Sequence, residues 1–299
     1  MDKISFETEW NETAKQWKEH TFAKLIKNKH IQQWLKEHNE SEAIVYANVG
    51  RFSDWLKAVE KCENCKGLAY CTQKVKGHYT DLYMDGVLLS GIHRCHYLRE
   101  HASALAHQSC YIDPKLSEGQ LLIDLTTMDI SKEQAAYKRL LMDITALLMS
   151  EEHQKGFYLC GKPGVGKSYL AAGITNHFAR KKCRVGFIHV PTLIGDLKLM
   201  FHDREAQEQH LNRIRNVPVL VLDDIGGESV TAWSRDEVLL SLLDYRMEHK
   251  LLTFFTSNYK LPELKQRYTL NEPMAAERIE ERIRTLAQEV FMSGNSRRK

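Results

Sequence analysis

The sequence predicts an α/β protein, in which a parallel β-sheet with helices on both faces follows a small, mainly helical domain. Three observations carry this. Beyond about residue 129, short continuous apolar runs alternate with helical stretches, and the first sixty residues repeat apolar positions at three-to-four spacing. Five of the seven cysteines (Cys62, Cys65, Cys71, Cys95, Cys110) lie between these regions, while Cys160 and Cys183 stand alone.

The 299 residues suit two domains of ordinary size or one large one. A chain 43% hydrophobic and 27% charged is neither disordered nor fibrous. The net charge of +3 excludes a blanket polycation but not a local basic groove. There is no apolar run long enough to span a bilayer and no secretory apolar segment near Met1, so a cytoplasmic location away from membranes is expected.

In the first region Trp10, Trp17, Leu25, Ile26, Ile31, Trp34 and Leu35 mark helices, Asn39-Glu40-Ser41 marks a break, and a further helix is expected over about 53–61. Four of the five tryptophans precede residue 56, which fits either a helical core or exposed anchors for a partner. Residues 62–110 show little helical periodicity. Asp113-Pro114 and Glu118-Gly119 punctuate a stretch read as a connector. The expected division is therefore a domain over 1–110, a linker over 111–128 and the α/β domain over 129–299. In the last, a helix over about 132–149 precedes strands at 157–160, 185–190, 217–222 and 251–256.

Gly161-Lys162-Pro163-Gly164-Val165-Gly166-Lys167-Ser168 fits G-x-x-x-x-G-K-[ST], directly after a predicted strand and before a helix over 169–181. Its backbone N–H groups and the helix N-terminus suit phosphates, with Lys167 reaching the β/γ oxygens of ATP and the Ser168 hydroxyl ligating Mg²⁺. The strand 218–222 ends in Asp223 and Asp224. Asp223 would hold Mg²⁺ through water and Asp224 would polarise the attacking water, unless both are simple turn formers. Glu228 is a weaker candidate for the second role. Asn258 follows the strand 251–256, at the sheet edge where ligands bind, and would contact the γ-phosphate or the lytic water; a Ser-Asn turn is the bland alternative. Arg278 and Arg282, four apart on a helix, read as a solvated face or as arginines offered to a neighbour's nucleotide. Arg180-Lys181-Lys182 and Arg184 fit either a phosphate-backbone track or a solvated helix end.

Cys62-Glu63-Asn64-Cys65 is a C-x₂-C knuckle of the kind that suits Zn²⁺. Two more ligands are needed, from among Cys71, His78, Cys95 and the histidines at 93, 96 and 101.

With the phosphate loop, Asp-Asp-Ile-Gly-Gly-Glu after the acidic strand and Thr-Ser-Asn later, residues 129–299 resemble AAA+ ATPases of the initiator and loader clade, in particular the DnaC, DnaI and IstB group. The N-terminal Cys/His region extends the likeness to helicase loaders over nearly the whole chain. The resemblance implies that Asn258 is the sensor-1 residue and that Arg282 is the arginine finger, with Arg278 in reserve. Arg297 or Arg298 would be sensor 2. It implies Cys₃His zinc at Cys62, Cys65, His78 and Cys95, with Cys71 the rival thiolate. Asp224 departs from the Glu usual in AAA+ enzymes; being one methylene shorter, it implies slow, switch-like hydrolysis. The implied function is loading a hexameric DnaB-type replicative helicase onto single-stranded DNA in replication initiation and restart, with ATP, Mg²⁺, other primosome proteins and self-assembly on the helicase. The alternatives are an IstB-like transposition helper and an adaptor that binds nucleotide without turnover.

Overall fold

The computed structural model describes residues 12–113, 115–131, 133–150, 155–294 and 296. The chain divides into two compact units between Ser103 and Ala104.

The first unit contains α1 (Glu12–Leu25), α2 (Lys29–His38), α3 (Glu42–Ala47), α4 (Val49–Glu63), β1 (His78–Asp85), β2 (Val87–Arg94) and most of α5 (His96–Leu105). In α2 the Asn28 side chain caps the first turn by accepting from the His30 N–H, and Asn39 closes the last turn in the left-handed region at φ +53°. Ile31, Trp34 and Leu35 lie on one face of that helix and pack with Val45, Phe52, Trp55 and Leu82. Trp34 meets Phe52 edge-on at 4.8 Å and donates its indole N–H to the Leu82 carbonyl at 2.8 Å. Trp34 and Trp55 are core, as the first reading of the tryptophans expects, whereas Trp17 is exposed and Trp10 lies outside the described residues.

The β1–β2 hairpin was not expected. Its strands pair antiparallel from His78↔Arg94 to Asp85↔Val87, turning at Gly86 with φ +67°. The Asp85-Gly86 pair is a known hairpin signal.

The second unit runs through α6 (Glu118–Leu121), α7 (Ala135–Met149), β3 (Gly156–Cys160), α8 (Lys167–Arg180), β4 (Val185–His189), α9 (Val190–Leu199), α10 (Arg204–Arg215) and β5 (Val219–Asp223). A π-helical segment, Trp233–Leu240, leads into α11 (Ser241–Glu248), followed by β6 (Leu252–Ser257), α12 (Leu261–Thr269), α13 (Pro273–Leu286) and β7 (Ala287–Phe291). The five strands are parallel in the order β4-β5-β6-β3-β7. Alternate residues supply the two cores. Tyr158, Leu220, Leu222 and Phe255 face one cluster with α9, α11, α12 and α13, whereas Leu159, Val219, Val221 and Phe254 face the other with α7 and α8.

The linker expected over 111–128 is corrected. Tyr111, Leu121, Ile123 and Leu125 are buried in the α7–α8 core, and the Tyr111 hydroxyl and two backbone carbonyls of the stretch bond to Asn176 of α8. A Cβ at Gly173 would stand 2.5 Å from Leu125 Cγ, so that glycine lets the stretch lie against the helix.

Buried Arg246 ties the starts of β5 and β6, donating to the carbonyls of Arg215, Val217 and Leu252 and to the Thr253 hydroxyl. Desolvation pushes its pKa down to about 9, which leaves it charged at neutral pH.

Candidate functional site

Three strand ends and one loop build the site. The loop after β3 turns at Gly161, whose φ of +149° and 2.3 Å clearance between a notional Cβ and the Met292 carbonyl admit only glycine. Gly166, at φ +102°, sets the N-terminus of α8, and Lys167 begins the helix. The Lys167 ammonium returns over the loop, donating to the carbonyls of Gly161 at 2.7 Å and Lys162 at 3.0 Å and to Asn258 Oδ1 at 2.9 Å.

Asp223 ends β5, and Asp224 follows in the left-handed region at φ +57°. Thr256 of β6 holds both: its hydroxyl donates to Asp223 Oδ1 at 2.6 Å and accepts from the Asp224 N–H at 2.9 Å. Asn258 then joins the loop to the acids, donating Nδ2 to Asp224 Oδ1 at 2.8 Å while Lys167 donates to its Oδ1. On the other side of that carboxylate, His189 Nε2 stands 3.9 Å from Asp224 Oδ2, its Nδ1 bonded to the Thr192 hydroxyl at 2.8 Å. These residues line a cavity of about 580 Å³ together with Pro163, Gly164, Gly166, Ser168, Met128, Tyr137 and Tyr169.

The sequence candidates Pro163, Gly164, Gly166, Lys167, Ser168, Asp223, Asp224 and Asn258 thus share one cavity, while Gly161, Lys162 and Val165 shape its loop. His189 and Thr256 were missed. His189 ends β4 as a polar residue after an apolar run, the same signal that singled out Asn258; Thr256 sits inside a strand and looks like ordinary β-branched filling.

Glu228 does not face this cavity. It is buried, accepting from the Gly226 N–H at 2.9 Å and from the Tyr268 hydroxyl. Burial and the Glu228 carboxylate together push the Tyr268 hydroxyl well above its usual pKa. The water-activating role suggested for Glu228 is therefore withdrawn in favour of a structural one.

Arg282 lies on α13, away from the cavity, and donates Nε to Asp244 Oδ1 at 2.6 Å and Nη1 to Glu281 at 3.1 Å. The hydrogen bond it donates to Asp244 raises its pKa. Arg278 approaches the same carboxylate at 3.6 Å and is the more open side chain, 54% exposed against 20% for Arg282. Arg297 and Arg298 lie outside the described residues.

The residues expected to bind zinc do not converge: among the described residues, no group of three or more His, Cys, Asp or Glu side chains is arranged to hold a metal ion. Cys62 Sγ accepts from the Gln73 amide at 3.1 Å, Cys95 Sγ from the Leu98 N–H at 3.4 Å, and His78 Nδ1 lies 3.1 Å from the Lys76 carbonyl. Cys65 Sγ lies 3.6 Å from the Gly67 carbonyl. Gly77 donates its N–H to Cys71 Sγ at 3.3 Å, a bond that lowers the Cys71 pKa. Each of these groups is engaged in a separate contact, so the arrangement does not present them as one ligand set.

A parallel sheet with a glycine loop after β3, a following helix and two acids at the end of β5, with β6 inserted between the two strands, defines a P-loop nucleotide-binding protein. The family model of IstB-like ATP-binding proteins matches residues 98–299. The chain is 30% identical over 286 residues to the replicative helicase loader DnaI of Bacillus subtilis (strain 168), covering 92% of this chain and 91% of that one. A crystal structure of DnaI matches with 33% identity and a TM-score of 0.55 over 64% of this chain and 99% of its own. A candidate primosome component from Streptococcus pyogenes serotype M3 matches with 33% identity and a TM-score of 0.53, over 64% of this chain and 98% of its own. The chain belongs to the IstB-like family of ATP-binding proteins, in the branch of the DnaI-type replicative helicase loaders.

Proposed function

We propose that this protein loads a hexameric replicative helicase onto single-stranded DNA, binding ATP in the cavity between the glycine loop and the ends of β5 and β6. The observation that carries the reading is that likeness to a replicative helicase loader extends over 92% of the chain, both units included.

Within the site, the loop N–H groups and the α8 N-terminus would receive the phosphates, and Lys167 would exchange its loop carbonyls for phosphate oxygens. The Ser168 hydroxyl and the Asp223 carboxylate, which line one cavity, are chemically fit to hold Mg²⁺, whose charge would offset that of the phosphates. Asp224 would orient the attacking water, with Asn258 reporting between that carboxylate and Lys167. A short carboxylate already held by an amide supports slow hydrolysis that acts as a switch. Arg282 or Arg278 would complete a neighbouring subunit's site on self-assembly, which for Arg282 requires release from Asp244. A cytoplasmic setting and contact with other primosome proteins belong to the same reading; among the described residues no helix is long and apolar enough to cross a membrane. The zinc reading, with Cys62, Cys65, His78 and Cys95 as ligands and Cys71 the rival thiolate, rests on the C-x₂-C spacing and on the family resemblance, and metal analysis of the purified chain tests it: equimolar zinc would support it and no zinc would retire it.

The deciding experiment mixes the protein with the replicative helicase of its own source and ATP, and reads the mass by light scattering on a sizing column. A stable complex is expected. No complex in ATP, ADP or neither would leave an ATP-binding protein of this family with another partner, and the transposition reading would then lead.

A further inference from the structure

We propose that the cleft between α4 and the β1–β2 hairpin in the first unit binds an acidic peptide segment that carries an apolar side chain, presented by the helicase. The proposal rests on the loader reading for the source of that segment; the chemistry of the cleft stands by itself.

The cleft exists because α4 covers only part of the hairpin. Residues 88, 90 and 92 share one face of β2. Leu88 is buried against the core, but Ile92, paired with Thr80 at the open end, is 72% exposed. The uncovered end leaves a cavity of about 460 Å³ floored by Trp55, Ala58, Leu82 and Ile92, with exposed Val75 at its edge. A floor of this kind accepts one or two apolar side chains.

The mouth is cationic. Arg51, Lys57, Lys61 and Lys74 line it against a single carboxylate, Asp54. Lys57 is paired with Asp54 at 3.3 Å, whereas Lys61 and Lys74 have no carboxylate partner among the described residues. In a chain whose net charge is only +3, this is a local excess. Cations around an apolar floor match an acidic segment with an apolar anchor, the rim setting encounter and the floor setting residence time. A nucleic acid fits less well: the indole of Trp55 is buried and pinned through Nε1 to Asp81 at 3.2 Å, so it offers no open platform for base stacking.

The test uses the full-length protein and two variants, the charge reversal Lys61→Glu/Lys74→Glu and, separately, Ile92→Asp, all at exposed positions. Helicase binding is titrated at two salt concentrations, alongside ATP binding, single-stranded DNA binding and melting temperature. The double variant should bind the helicase at least about tenfold more weakly, with a shallower salt dependence, while ATP binding and melting stay at wild-type values. Ile92→Asp should weaken binding with the salt dependence preserved. Wild-type helicase binding by both variants would overturn the cleft and leave the loader reading standing. Loss of DNA binding with helicase binding intact would overturn it in favour of a nucleic-acid groove. Failure of the unmodified protein to bind the helicase would remove the loader reading and this proposal together.

Discussion

Asn258 donates its side-chain amide to Asp224 at 2.8 Å while its oxygen accepts from Lys167 at 2.9 Å, so one residue of β6's end connects the phosphate-loop cation to the strand-end acid. Phosphate arriving at Lys167 competes for the ammonium, and the loss is felt at the carboxylate two bonds further on. Asn258→Ala should therefore lower turnover by about tenfold or more while changing ATP affinity little. Single-turnover hydrolysis alongside equilibrium ATP titration checks this split.

Lys167→Ala removes the cation itself and should abolish measurable ATP binding, with the melting temperature without nucleotide nearly unchanged. Isothermal titration supplies the first reading and thermal denaturation the second. Asp224→Asn should keep ATP binding and lose hydrolysis.

Glu228→Gln offers a contrast with Asp224→Asn. Because Glu228 is buried on the Gly226 N–H and the Tyr268 hydroxyl, its substitution should cost about 1–3 kcal/mol of stability and leave the catalytic rate per folded molecule intact. Urea denaturation and specific activity corrected for folded fraction separate the two.

Much of this was legible in the sequence because the central strands are buried on both faces and read as unbroken apolar runs. β7 was not: Ala287-Gln288-Glu289-Val290-Phe291 is an edge strand with only Ala287 fully buried, so its pattern is broken by polar residues. The stretch 111–128 looked like a linker because of its Pro and Gly punctuation, yet alternate apolar residues drop into the groove that Gly173 leaves on α8. The residues carried by a motif meet at one cavity. Thr256 was not legible, since its role depends on β5 and β6 being neighbours, a pairing of residues more than thirty positions apart. The thiols of the first unit show the reverse case: a local spacing suggests a joint site, whereas Cys62, Cys65, Cys71 and Cys95 make separate contacts.

Asp244 restrains both candidate arginines, so Asp244→Asn should raise ATPase activity of the assembled protein, whereas Arg282→Ala should lower it and leave the dilute monomer unaffected. The loss expected for a true finger is on the order of a thousandfold. Activity measured against protein concentration distinguishes the two states.

Stability should fall on acidification. Half-buried His177 and His210 have pKa values lowered from the ordinary 6.5, chiefly by desolvation. Their unfolded forms take up protons first, so their contribution is present above about pH 6.5 and is lost as pH falls through the lower folded values. Melting temperatures at pH 7.5 and 5.5 should show the drop, and His177→Gln should reduce it.

The last helix and last strand of the second unit are consecutive: α13 ends at Leu286 and β7 begins at Ala287, pairing residue for residue with β3 up to the phosphate loop. Met292 then returns its N–H to the Cys160 carbonyl at 2.7 Å, one residue before Gly161. Arg282 and the phosphate loop are therefore joined by the last turn of α13 and the short strand β7. Under the proposed self-assembly, a neighbour's grip on α13 would pass through β7 to the loop at the nucleotide cavity.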